Sequence, residues 1–368
     1  MSGAEIVPVA LAERSYDIEV GSGNLPHVAA FLTARSRCTH AVVVTDHHVE
    51  SLWAAEVIAS LRQQGLRVNL TVVPAGERTK CVATADELWQ RLLEFGTDRK
   101  SAVVAVGGGV IGDLAGFVAA TYARGLPLFQ VPTTLLAQVD SSVGGKVGVN
   151  LPDAKNMVGA FWQPRGVCID TDVLRTLPDR EYRAGLAEVV KYGVILDADF
   201  FHYLEQHVPE IQGRDPAVLR YVVAQCCRLK ALVVSQDERE ETGLRAVLNY
   251  GHTFCHAIEA VTDYGEFLHG EAVAIGMDCA ARLAACLDRV DRSFVTRQRT
   301  LLTALDLPVH VPQLSHDALL QAMQHDKKVE HGQLRFVLPT RLGHVELVGG
   351  VASGLVRSVL ADAPTPPG

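Results

Sequence analysis

The sequence predicts two domains of different class, α/β over residues 1–179 and mainly α-helical over residues 180–368. Three observations lead there. At 368 residues the chain is longer than one hydrophobic core usually organises. Up to about residue 180, short β-rich apolar runs alternate with helical patterns, the order of an α/β layer with a largely parallel sheet. Beyond Pro178 the period changes, and long amphipathic stretches of helical spacing take over.

Taken in order, strands are expected at Ala41–Thr45, Arg67–Val73, Ala102–Val106, Leu128–Val131 and Val167–Ile169, where β-branched and apolar residues run together. Val49–Gln64 and Val82–Phe95 carry helical periodicity between the first three. Ser101–Ala123 holds one charge, Asp113, in 23 residues, long enough to cross a bilayer. Its five glycines and the central aspartate argue instead for strand, glycine turn and buried helix. In the second half, helices are expected at Ala217–Ser235, Thr253–Val261, Gly270–Leu287 and His316–Gln324. Only Arg335–Pro339 and His344–Leu347 read as strands there, a hairpin around Gly343, and the Pro-rich Ala361–Gly368 reads as a frayed end.

Acidic residues outnumber basic ones 42 to 34, a formal charge of -8, which argues against a protein built to cover nucleic acid or an anionic membrane. Small anions remain compatible with it. Eight cysteines, with Cys226 and Cys227 adjacent and no framework spacing, suit free thiols in a reducing compartment, so a cytoplasmic address is expected. Residues 1–14 lack the continuous apolar run of a secretory signal.

Gly107, Gly109 and Gly112 stand at G-x-G-x-x-G spacing directly after a β-branched run and before a helical one. Glycines there let backbone N–H groups approach a pyrophosphate at a helix N-terminus; a tight strand-to-helix turn is the plainer alternative. The ribose-binding carboxylate usual about 20 residues downstream is missing. Asp46, after the Ala41–Thr45 strand, and Glu77, in the turn Pro74–Lys80, are upstream acids that could replace it. Gly144-Gly145-Lys146 ends like a P-loop, but Asp140 replaces its first glycine and Val147 its magnesium-binding hydroxyl, which excludes a nucleoside triphosphatase on this motif. Asp140, Lys146, Lys155 and Asn156 can still be either a solvated loop or the lining of an anion site.

Glu188 and Lys191 are three apart in the nearly uncharged Ala184–Ile195, so they share one face of a helix expected to be buried. Buried charges must be paired or ligand-bound, which leaves an internal salt bridge or a site. His252 and His256 are at i and i+4, without the glutamate of a metalloprotease motif between them, and His269 follows. One carboxylate and two imidazoles make a catalytic divalent-metal set, yet spacing alone does not choose the trio.

Together these segments resemble the 3-dehydroquinate synthase family. The resemblance runs from about Tyr16 to Val348 and is carried by Pro74-Ala-Gly-Glu-Arg-Thr-Lys80, Gly107–Asp113, Pro132–Asn150, Lys155-Asn156-Met-Val-Gly, Gly185–Tyr192, Leu248–Glu259 and Leu268–Met277. It implies a dehydroquinate synthase-like fold: an NAD-binding N-terminal α/β domain, a metal-binding helical C-terminal domain, an active site in the cleft, and a homodimer. The implied ligands of one zinc or cobalt are Glu188, His252 and His269. NAD contacts fall on Ala75, Gly76, Glu77, Arg78, Thr79, Lys80, Gly109, Val110, Ile111, Gly112, Asp113, Thr133, Thr134, Lys146, Lys155, Val173, Leu174, Arg175 and Thr176, with Glu77 as the ribose acid. Contacts to an anionic sugar phosphate fall on Asp140, Lys146, Asn156, Lys191, Lys230, Arg245, Asn249, His256, and Lys327 or Lys328, while Arg124 matches a position that reaches a neighbouring subunit's site.

The reaction implied converts 3-deoxy-D-arabino-heptulosonate 7-phosphate to 3-dehydroquinate and phosphate, a net lyase of the shikimate pathway. Another sugar-phosphate cyclase, or a metal-dependent polyol dehydrogenase of the same plan, is the alternative. One departure is Cys255, where the family usually has glycine. Its neighbours Phe254, Ala257 and Ile258 predict a packing residue.

Overall fold

The computed structural model describes residues 4–152, 154–263, 265–324 and 334–361. It divides into two compact units, Met1–Pro178 with Pro216–Arg239, and Asp179–Asp215 with Glu240–Gly368.

The first unit is built on a sheet of β1 (Glu5–Val9), β2 (Tyr16–Gly21), β3 (His40–Asp46), β4 (Arg67–Val73), β5 (Ser101–Gly107), β6 (Leu128–Pro132) and β9 (Gly166–Asp170). Strand order is β1-β2-β9-β6-β5-β3-β4. Every pairing is parallel except β1 with β2. The central strands read as continuous apolar runs because both faces are covered: Val42, Val43, Val103, Val104 and Val106 are at most 1% exposed. Helices α1 (Val28–Arg35), α2 (Ala55–Gln63, entered through one π turn at Glu50–Ala54), α3 (Val82–Glu94) and α4 (Gly109–Thr121) belong to this unit.

Four strands lie outside the sequence expectation. β1 and β2 alternate buried and more exposed residues instead of running apolar, and Pro8 takes an exposed position on the edge strand, where a missing N–H costs no ladder bond. The segment from Lys146, read as a loop or an anion lining, forms an antiparallel hairpin of β7 (Lys146–Leu151) and β8 (Ala154–Phe161).

The second unit contains α5 (Asp179–Leu196), α6 (Ala198–Gln206) and α7 (Val208–Gln212), and, after the excursion of α8 (Pro216–Gln236), α9 (His252–Val261), α10 (His269–Cys286), α11 (Arg292–Ala304), α12 (His316–Gln324) and α13 (Ser353–Ala361). The hairpin of β10 (Arg335–Arg341) and β11 (His344–Gly349) completes it.

Helix α8 departs from the division at residue 179/180, because it packs with the first unit, against β1 and β2. Cys227 Sγ donates to the Gln138 carbonyl at 3.3 Å, Lys230 Nζ donates to the Asp140 carbonyl at 2.7 Å, and Arg228 pairs with Glu5. Just past the helix, Glu238 accepts a two-point bond from Arg14, at 2.9 and 2.6 Å. Periodicity shows that a helix buries one face; it does not show which core receives that face.

Candidate active site

In the first unit β5 ends at Gly107 and α4 begins at Gly109, with no side chain capping the helix. The orphan N–H groups of its first turn therefore depend on something other than a cap. The cradle is narrow: a Cβ on Gly108 would stand 3.0 Å from Thr134 Cγ2, and one on Gly109 would stand 3.0 Å from Ser141 Oγ. Val110, Gly112 and Asp113 are half-buried, whereas Ile111 and Thr133 are buried. Backbone donors, small residues and an uncapped helix start fit an anionic phosphate.

Beside this turn, Lys80 Nζ donates to Asp113 Oδ2 and to Asn156 Oδ1, each at 2.5 Å. Burial pushes the Asp113 carboxyl up from its ordinary value, and the Lys80 ammonium opposes that push. Asn150, absent from the expected set, ties the network together: its Nδ2 donates to Glu77 Oε1 at 2.7 Å and its Oδ1 accepts from the Asn156 N–H at 2.9 Å. As a polar residue ending an apolar β run, it carried no signal at motif level. The turn holding Ala75, Gly76, Glu77 and Arg78 on the surface is closed by Thr79 Oγ1 donating to the Pro74 carbonyl at 2.7 Å. Val173, Leu174, Arg175 and Thr176 lie in a 3-10 turn that Asp170 caps.

Lys230 joins Asp140 through both the carbonyl and the carboxylate, at 2.7 and 2.9 Å. Lys146 opens β7 on the surface, Lys155 is half-buried on β8, and Arg124 is exposed with a left-handed φ of 67°.

In the second unit α5 is buried nearly throughout, and Glu188 and Lys191, 1% and 2% exposed, form the ion pair through Oε2 that their spacing predicts. The other oxygen, Oε1, faces His252 Nε2 at 3.6 Å and His269 Nε2 at 3.8 Å. Both rings are held from behind: His252 Nδ1 lies 3.1 Å from the Tyr250 carbonyl, and His269 Nδ1 lies 3.3 Å from Glu259 Oε1. With Nδ1–H donating to those acceptors, each ring in its neutral form presents an Nε2 lone pair toward the carboxylate. One carboxylate oxygen and two imidazole nitrogens thus converge, all within 4.8 Å of one another. That donor set fits a divalent cation, and the 35% exposure of His269 leaves an approach for a further ligand.

Local sequence dictates this convergence. Gly251, at φ 80°, turns the chain into α9 so that His252 is its first residue. Gly270 follows His269, and a Cβ on it would stand 1.8 Å from the Ala184 carbonyl, so only glycine lets the start of α10 lie against α5. The ring of His256 is 5.6 Å from that of His252; Asn249 is half-buried and Arg245 buried, with its Nε 3.6 Å from Glu240. Lys327 and Lys328 lie outside the described residues.

Burial alone would lower the pKa of His269, but Cys255 and the Glu259 carboxylate outweigh it and carry it well above the usual imidazole range. Burial also pushes the Cys255 thiol up to about 11. Cys255 is fully buried, as a packing residue would be, yet its sulfur is directed at Glu259 and His269. Glu259 is the second residue that the expected set leaves out; its signal was an acid, 6% exposed here, in the otherwise apolar end of α9.

These features define a class first: a two-unit chain with a nucleotide-type glycine turn on a parallel sheet in one unit and a cation-type trio among the helices of the other. The comparisons narrow it. Residues 70–184 match the model of the 3-dehydroquinate synthase N-terminal domain, and residues 185–329 that of the C-terminal domain. The 3-dehydroquinate synthase of Rhodopirellula baltica is 51% identical over 97% of both chains. Among solved structures, 2-deoxy-scyllo-inosose synthase complexed with carbaglucose-6-phosphate, NAD+ and Co2+ aligns with a TM-score of 0.88 at 29% identity, covering 98% of this chain and 100% of that one. The 2-epi-5-epi-valiolone synthase of Streptomyces hygroscopicus, with NAD+ and Zn2+ bound, aligns at 0.87 and 30% identity, covering 96% and 97%. The chain belongs to the 3-dehydroquinate synthase family.

Proposed function

We infer that this chain converts 3-deoxy-D-arabino-heptulosonate 7-phosphate to 3-dehydroquinate and phosphate, using NAD+ and one divalent cation. The observation that carries the reading is 51% identity to a 3-dehydroquinate synthase over 97% of the chain. When bound, NAD+ supplies a reversible hydride acceptor for the substrate's C5 carbinol, and the cation supplies Lewis acidity at the oxygen there.

The chain's own groups do the rest. Glu188 Oε1 and the Nε2 atoms of His252 and His269 hold the cation, while Lys191, on the other oxygen of Glu188, balances the carboxylate's charge. An oxygen–nitrogen–nitrogen set suits zinc and cobalt alike. The uncapped first turn of α4 takes the cofactor's pyrophosphate, with Lys80 and Asp113 beside it and Glu77 for the ribose hydroxyls. Thr133, Thr134, Lys155 and the Val173–Thr176 turn complete that binding surface. Lys146, Lys191, Lys230, Arg245, Asn249 and the Lys327-Lys328 pair clamp phosphate and carboxylate, a preorganised positive field for a multiply charged reactant. Asp140 and Asn156 orient its hydroxyls, and His256, beside His252, moves a proton at the C5 hydroxyl.

A ketone at C5 would acidify the C6 proton and so let phosphate leave by elimination, after which the ring would open and an aldol step would close the carbocycle. No NADH accumulates. The enzyme works in the cytoplasm as a homodimer, with Arg124 reaching the partner's site; its exposure and its left-handed backbone support that role. Assaying the metal-loaded protein with NAD+ and the heptulosonate phosphate is expected to give phosphate without net NADH, suppressed by a chelator. Stoichiometric NADH would instead indicate a dehydrogenase, and phosphate release only from sedoheptulose 7-phosphate would indicate another cyclase.

A further inference from the structure

We propose that Cys255, Glu259 and His269 form a second seat for a soft divalent cation, using the ring nitrogen of His269 that the Glu188 trio leaves aside. Cys255 and Glu259 are one turn apart on α9, and His269 begins α10. Cys255 Sγ lies 3.8 Å from His269 Nδ1 and 3.8 Å from Glu259 Oε2, and Nδ1 lies 3.3 Å from Glu259 Oε1. A tetrahedral zinc, with bonds of about 2.3 Å to sulfur and about 2.1 Å to nitrogen or oxygen, sets its ligand atoms about 3.6 Å apart from sulfur and about 3.4 Å apart between nitrogen and oxygen. The separations lie close to those edges, with Glu259 turning Oε2 to the sulfur and Oε1 to the nitrogen, and one donor atom from each residue lies within 4.8 Å of the other two. As sulfur hydrogen bonds the two longer ones are weak.

Thiolate, carboxylate and imidazole together favour zinc or cadmium over magnesium or calcium. The first two are buried, and the 35% exposure of the His269 side chain provides the entry. Filling the seat releases two protons to solvent, one from Sγ and one from Nδ1. Three electron pairs are donated to the cation, and nothing is oxidised or reduced. With both seats filled, His269 bridges them as an imidazolate, and Glu259 no longer holds the Nδ1 proton. Excess soft cation therefore lowers turnover.

The second seat does not depend on the reading of the Glu188 trio, and titration separates the two. Metal-stripped protein is titrated with cadmium while the ultraviolet sulfur-to-cadmium charge-transfer band is recorded, and bound cadmium is counted by mass spectrometry after desalting. The native chain is expected to bind two equivalents and Cys255→Ser one, with the corresponding part of the band gone. Glu188→Gln keeps that band while losing the other equivalent. Equal stoichiometry and equal bands in the native chain and Cys255→Ser overturn the proposal. Glu259→Gln, which preserves side-chain shape, covers the case in which the serine variant misfolds: an undiminished second equivalent there overturns it as well.

Discussion

Two polar clusters in this molecule solve the same problem in opposite ways. In the first unit, Lys80 meets Asp113 and Asn156, so carboxylate, amide and ammonium answer one another within the protein. In the second, Lys191 answers one oxygen of Glu188, while the other oxygen faces two imidazole nitrogens whose remaining N–H groups are directed elsewhere. The first cluster has its charges answered within the protein although it borders the proposed cofactor surface. The second, with its rings neutral, gathers acceptors on acceptors, an arrangement that a cation resolves. The difference teaches where to look for a cation: a charged cluster alone does not mark its seat, but convergent lone pairs do.

That contrast can be broken most severely at Glu188. Replacing it with Gln removes the carboxylate from the trio and leaves Lys191 buried without its anion, so turnover is expected to fall below detection and the trio's metal equivalent to be lost, with only the Cys255 seat still able to hold a cation, while helicity persists. Full activity, with metal retained by elemental analysis, would remove Glu188 from the ligand set. Asp113→Asn probes the closed cluster. It leaves the Lys80 charge buried without an anion and is expected to lower stability by about 3 kcal/mol, read from urea unfolding. An unchanged midpoint would mean that this pair is open to solvent screening.

The mildest test uses pH. Because Cys255 and the Glu259 carboxylate raise the pKa of His269, the metal-free ring takes up its second proton at a higher pH than an ordinary imidazole, and a cation at Nε2 must displace that proton. Affinity for zinc is therefore expected to rise with pH until it passes the raised pKa, by at most about tenfold per pH unit for one proton. Calorimetry in buffers of different ionisation heat counts that proton. Uptake with no proton release contradicts the assignment.

Much of this was legible in the sequence, and the gaps have physical causes. Val42–Val44 and Val103–Val106 announced themselves because strands covered on both faces need no alternation. The edge pair β1 and β2 needed a different pattern, with Pro8 as its punctuation. At the site, the i,i+3 spacing of Glu188 and Lys191 disclosed a shared face, whereas the meeting of His252 with His269 depends on Gly270 bringing α10 against α5. Asn150 reaches back to Glu77 on another segment and Glu259 reaches forward to His269 on the next helix, links that no motif announces. The allegiance of α8 was equally hidden, since an amphipathic helix reports that it has a core and not whose core it is.

The position of α8 also bears on how the chain comes off the ribosome. The first unit cannot finish its core until Pro216–Arg239 has emerged, and by then Asp179–Asp215 has already been synthesised. Folding of the two units is therefore interleaved in time, not strictly N-terminal first. A polypeptide ended at Pro178, where the sequence invites a cut, would leave β1 and β2 without their covering helix. Fragments divided there are expected to aggregate alone and to recover only when the two pieces are refolded together.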